Sequence, residues 1–124
     1  MKSKITFCVL DKNQIFESIY NAAHDNSYVA YIRGNRCKTE KDFFCEISAS
    51  FQFPWYFGEN WAAFDECICD LEWLDFQNLF IVIDDFSHVF GGDKKMQTIL
   101  IKYLGIAVDY WNEKNIPISI WLNQ

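Results

Sequence analysis

Residues 53–71 read Phe53-Pro54-Trp55-Tyr56-Phe57-Gly58-Glu59-Asn60-Trp61-Ala62-Ala63-Phe64-Asp65-Glu66-Cys67-Ile68-Cys69-Asp70-Leu71. Pro54 ends whatever helix precedes it, because a residue before proline is pushed out of helical geometry. The aromatic run 55–57 followed by Gly58 reads as a loop, and Asn60 is a good N-cap for a helix from Trp61 to about Glu72. Trp61, Phe64, Ile68 and Leu71 then recur at helical spacing and form a core stripe. The remaining face carries Ala62, Asp65, Glu66 and Asp70, with Glu59 just ahead. Glu66 and Asp70 make a like-charge pair four apart, which costs a helix ~0.2–0.5 kcal/mol. A solvated face with casual acids is the plain explanation. Against it, the whole stretch from Asp42 to Asp93 holds no Lys or Arg.

On the N-terminal side, Thr39 caps a helix bearing Phe43, Phe44, Ile47 and Phe51, with Asp42 three residues on as an imperfect capping box. Tyr28–Arg33 looks like a buried strand closed by Gly34-Asn35, a turn signal. Ile15, Phe16, Ile19, Tyr20 and Ala23 mark a short helix with Asn13 as a possible cap, and residues 5–10 are a strand-like lead-in. On the C-terminal side, Leu79–Ile83 is a continuous apolar run, as in a strand buried on both faces of a parallel sheet. A loop over 84–93 leads to a helix from Lys94 to about Asn112, and Pro117–Leu122 closes as a strand. The order predicts an α/β fold: a three-stranded parallel sheet flanked by helices over residues 28–124, with residues 1–27 as an N-terminal extension.

Composition bounds the function. The 124 residues suit one domain, and 51% hydrophobic with 23% charged excludes disorder. Lys plus Arg number 11 against 17 Asp plus Glu, a net charge of −6. Direct binding to nucleic acid needs a cationic face, so that partner is excluded. The stretch 42–93 holds 11 of the acids, leaving 6 in flanks that hold every base. Five cysteines make an odd count without a disulfide framework. The start MKSKITFCVL is too short in apolar residues for a signal core, and nothing approaches a membrane span. A reduced, cytoplasmic protein with no membrane partner is expected.

Catalytic constellations are thin. Ser87, His88 and Asp84 could be drawn as a triad, but no nucleophile-elbow glycines surround the serine. Asp84, Asp85, His88 and Asp93 could hold a divalent cation; the plainer reading is a solvated acidic turn after a strand. Cys67 and Cys69, two apart, point to different sides of a helix and cannot share one metal. Cys67 is expected to face the core. No cofactor is expected.

With these residues in view, 53–71 resembles the barstar family of ribonuclease inhibitors. The family pattern runs Pro-x-Tyr-aromatic-Gly-x-Asn, then Leu or Trp, Asp-Ala, Leu or Phe, one free position, an acid, and Cys-Leu. Asp-Leu and a Trp usually follow, filled here by Asp70-Leu71 and Trp73. The resemblance implies a non-enzymatic protein that plugs the active site of a basic ribonuclease or nuclease toxin, in an antitoxin or immunity role. It would be a monomer alone and a 1:1 heterodimer with its partner. Tyr56, Phe57, Gly58, Asn60, Ala62 and Glu66 fall on the family's contact positions, and Glu59, Asp65 and Asp70 extend the same acidic surface. Ala62 stands where the family has an aspartate, Glu66 keeps the central carboxylate one methylene longer, and Asp65 is a new acid. A further contact acid carried by some relatives has only Asp93 as a candidate. The alternative is an interaction module of this fold with a non-nuclease partner.

Overall fold

The computed structural model describes residues 4–124. Residues 1–3 of the expected N-terminal extension lie outside the described residues. Among the described residues four strands are present: β1 (Lys4–Cys8), β2 (Ser27–Arg33), β3 (Asn78–Asp84) and β4 (Ile118–Asn123). The helices are α1 (Lys12–His24), α2 (Glu40–Phe51), α3 (Trp61–Ile68) and α4 (Lys94–Glu113). The sheet is parallel throughout, in the order β1-β4-β3-β2.

The sheet thus has one strand more than expected. Residues 4–8 pair with β4 in register from Lys4↔Ser119 to Cys8↔Asn123. The strand character of residues 5–10 is legible in the sequence, but their place in the sheet depends on pairing with a strand at the far end of the chain, which leaves no local trace.

Strand alternation sends Ala30, Ile32, Leu79, Ile81, Ile83, Ile118, Ile120 and Leu122 to one face, where they join α2, α3 and α4 in the main core. On the other face Phe80 and Val82 meet Ile15 of α1, with Ile19, Val29, Tyr31 and Trp121 around them. Both faces of β3 are therefore covered, as its unbroken apolar run requires. Helix α1 begins after Asp11, not Asn13. The Asp11 side chain accepts from the Gln14 N–H at 2.9 Å, and Gln14 Oε1 accepts from the Asp11 N–H at 3.0 Å. This reciprocal capping box fixes the start two residues earlier than a lone Asn13 cap.

Of the acidic turn expected to be solvated, Asp84 at the end of β3 is buried, whereas His88 and Asp93 are exposed. Asp84 is 1% exposed and accepts from Tyr31 Oη (2.6 Å), Asn123 Nδ2 (2.9 Å), the Asp85 N–H (3.0 Å) and Lys12 Nζ. The base missing from the local sequence arrives from α1, 72 residues away. Burial pushes the Asp84 carboxyl up, but hydrogen bonds from Lys12, Tyr31 and Asn123 outweigh it and hold it down at about 2. Its folded pKa lies below the unfolded value, so this stability is present above pH about 4 and is lost as pH falls toward about 2. Asp84→Asn is expected to cost about 2 kcal/mol at neutral pH. Urea unfolding across pH 2–7 checks this, since the gap between variant and wild type should close on the acid side. A gap that does not change with pH contradicts it.

Candidate partner-binding site

The surface built by residues 54–70 is held from three directions. Phe51 ends α2 in the core, and Gln52 takes a left-handed φ of 54° that turns the chain back before Pro54. The Phe57 N–H donates to the Pro54 carbonyl at 2.9 Å, closing a four-residue turn with Trp55 and Tyr56 at its corners. Phe57 is half-buried, its ring 5.0 Å from Phe53 and 5.8 Å from Phe44. Trp55 and Tyr56 project outward at 95% and 61% exposure. Gly58 and Glu59 are exposed, and Glu59 adopts a left-handed φ of 50°. A non-glycine residue there stores of order 1 kcal/mol of backbone strain in the loop.

Asn60 caps α3 as expected. Its Oδ1 accepts from the Ala63 N–H at 2.8 Å, while Nδ2 donates to the Gly58 carbonyl at 3.2 Å. One side chain therefore ties the loop to the first turn of α3. Trp61 then lies flat on Tyr103 of α4, with ring centroids 5.3 Å apart and planes 11° apart, and edge-on to Phe44 at 5.0 Å. Its indole N–H donates to Glu40 Oε2 at 2.5 Å. Glu40 is a positioning residue that local reading misses: it opens α2, 21 residues upstream, and only the tertiary fold brings it to α3.

Phe64, Ile68 and Leu71 are fully buried, so the core stripe is real. The helix, however, stops at Ile68 instead of about Glu72. The Cys69 N–H bonds the Asp65 carbonyl at 3.2 Å and the Asp70 N–H the Cys67 carbonyl at 3.1 Å, a tightening last turn. Leu71 takes φ 53°, and Trp73 Nε1 reaches the Phe51 carbonyl at 2.8 Å. Burying Leu71 and anchoring Trp73 wins over helix continuation. Asp70 consequently sits in the turn after α3, not one helical turn above Glu66.

Ala62, Glu66 and Asp70 are exposed, and Asp65 is partly covered by the Cys69 thiol, Sγ to Oδ1 3.9 Å. Among the described residues the ion pairs are Lys12–Asp84, Lys12–Asp85 and Arg33–Glu46. Glu59, Asp65, Glu66 and Asp70 belong to none of them. Their field reaches the cysteines: burial first, then Asp65, pushes Cys69 up to about 12, and burial, Asp70 and Glu66 raise Cys67. Both thiols stay protonated, and Cys67 is buried in the core as expected. All five cysteines are free.

Asp93 does not join this surface as a free acid. It caps α4, accepting from the N–H groups of Lys95 (3.0 Å) and Met96 (3.3 Å). Asp84 is spent on its buried network, and no group of three or more His, Cys, Asp or Glu is placed to hold a metal among the described residues. No helix of the described residues is long and apolar enough to cross a membrane.

Compared with known families, the chain matches the family model described as Barstar (barnase inhibitor) over residues 27–123. A search of curated proteins finds no match. The family match spans β2 through β4 and the whole surface just described, and the chain belongs to the barstar family. Helix α1 and strand β1 precede the matched residues.

Proposed function

We propose that this protein binds and blocks the active site of a basic ribonuclease, through the acidic face of α3 and the aromatic loop that precedes it. The observation that carries this reading is a set of outward carboxylates, Glu59, Asp65, Glu66 and Asp70, without a protein cation within ion-pair reach among the described residues. Such an arrangement costs the free protein repulsion and is balanced once cations arrive. A cleft that binds a phosphodiester is lined with Arg, Lys and His, whose desolvation is costly unless an anion meets them. Carboxylates on a rigid helix supply that anion in place of the substrate phosphates, and Tyr56 and Phe57 exclude water around them. The protein contributes no chemistry of its own; it occupies the site in a 1:1 complex and competes with RNA.

Within this reading, residues 28–124 form the inhibitory unit and residues 1–27 are an addition in which β1 widens the sheet and α1 covers its second face. The setting that fits is the reducing cytoplasm of a bacterial cell that makes the ribonuclease, where five free thiols persist and an immunity protein is needed.

Electrostatic capture makes the association rate depend on salt. Between about 20 mM and about 150 mM ionic strength, stopped-flow association with a basic ribonuclease is expected to slow about tenfold or more, with dissociation changing little. Association that ignores salt would count against the acidic surface as the docking face.

A further inference from the structure

We propose that Trp55 is the specificity-determining anchor of this surface and stacks on an arginine guanidinium at the rim of the partner's cleft. This rests on the ribonuclease-inhibitor reading above.

Four of the five tryptophans are used inside the fold. The indole N–H groups of Trp61, Trp73 and Trp111 donate to Glu40, the Phe51 carbonyl and the Ile68 carbonyl. Trp121 packs edge-on against Phe80 at 5.0 Å. Trp55 alone stands in water, 95% exposed, the most exposed of the large hydrophobic side chains among the described residues. Its indole N–H has no partner among those residues.

This exposure is built in rather than left over from a loose loop. Pro54 fixes its own φ, the Pro54–Phe57 hydrogen bond closes the turn, and Phe53 and Phe57 pin both sides of it to the core. Trp55 sits at the first corner, its ring 5.9 Å from Tyr56 and at 86° to it. The two rings lie edge to face at the head of the loop that enters α3, on a backbone turn held by the Pro54–Phe57 hydrogen bond. With the backbone already held, binding has only the two χ angles of the indole to order, which is what makes tryptophan effective as an anchor.

The partner group follows from charge. Trp55 heads the same loop as Glu59, and none of the ion pairs among the described residues engages Glu59, Asp65, Glu66 or Asp70, so the loop and the helix it enters carry unpaired negative charge. A planar cation that stacks satisfies both the field and the ring, and arginine does so better than lysine because it is planar and weakly hydrated. Glu66 meets the centre of the cleft while Trp55 reads its edge. Only an enzyme that carries an arginine at that edge gains the stacking contact, and this difference in affinity is how Trp55 sets which ribonuclease is recognised.

The test uses the full chain against a panel of basic microbial ribonucleases, with inhibition of RNA cleavage and binding kinetics as readouts. For an enzyme that the wild-type chain inhibits, Trp55→Ala and Trp55→Leu should each weaken binding by roughly 30-fold or more, mostly through faster dissociation. Trp55→Phe, which keeps a π face, should stay within about fivefold. Circular dichroism and melting should not change, since Trp55 makes no core contact. In the complex, the acrylamide-quenchable fluorescence present in wild type and absent in Trp55→Phe should disappear. If Trp55→Leu binds as wild type does, or the quenchable signal survives in the complex, the proposal is overturned while the inhibitor reading stands. A wild-type chain that inhibits no enzyme of the panel overturns both.

Discussion

Glu66→Lys is expected to abolish inhibition while leaving the fold intact. Glu66 is exposed in the second turn of α3, opposite Phe64 and Ile68, and belongs to none of the ion pairs among the described residues. Removing one partner of a desolvated charge pair costs about 3–5 kcal/mol. Placing a lysine in a cationic cleft adds repulsion to that loss, so binding should fall by a factor of about 10³ or more. Folding stability should stay within about 0.5 kcal/mol of wild type, as for an ordinary surface substitution. Titration calorimetry and thermal melts on the same preparations check both halves. A variant that binds within a few-fold of wild type places the contact elsewhere.

The second large effect is on stability. Gly34 is buried where the chain leaves β2, against the backbone that leaves β3. A Cβ there would lie 2.2 Å from the Asp84 carbonyl oxygen and 2.5 Å from that of Asp85. Both neighbours are backbone, and Asp84 is further fixed by its buried hydrogen bonds, so neither can give way cheaply. Gly34→Ala is expected to cost about 3–5 kcal/mol or to prevent folding. Gly105, inside α4, is the matched control because an added Cβ there meets nothing within 4 Å. Gly105→Ala should stabilise by about 0.5–1 kcal/mol through helix propensity. Urea titrations of the two variants give the contrast. Equal, small effects at both positions would mean that the close approach at Gly34 does not exist.

Much of this architecture was readable because its causes are local. Asn60 and Thr39 cap the helices that follow them, since a side-chain oxygen three residues before an N–H can only do so in one geometry. The run Leu79–Ile83 announces a strand covered on both sides, and so it is. The candidate contact residues from Tyr56 to Glu66 are carried by one loop and one helix, with Asp70 in the turn that follows α3. What escaped depends on partners distant in the chain. Strand β1 joins the sheet through β4, Asp84 is buried because Lys12, Tyr31 and Asn123 converge on it, and Glu40 meets Trp61 only after α2 and α3 pack. The early end of α3 carries no glycine, asparagine or proline to signal it; a leucine accepts the left-handed conformation because the core rewards its side chain.

The central claim is that the acidic face of α3 occupies the phosphate-binding cleft of a basic ribonuclease. It is tested most directly by titrating the chain into such an enzyme at concentrations far above the dissociation constant while following RNA cleavage, and in parallel by following whether the chain and a labelled non-cleavable oligonucleotide compete for the enzyme. The account predicts that cleavage falls linearly to zero at one inhibitor per enzyme, and that the oligonucleotide displaces the inhibitor. Enzymes that remain fully active at a large molar excess of the chain, or an oligonucleotide and inhibitor that bind together, would contradict it.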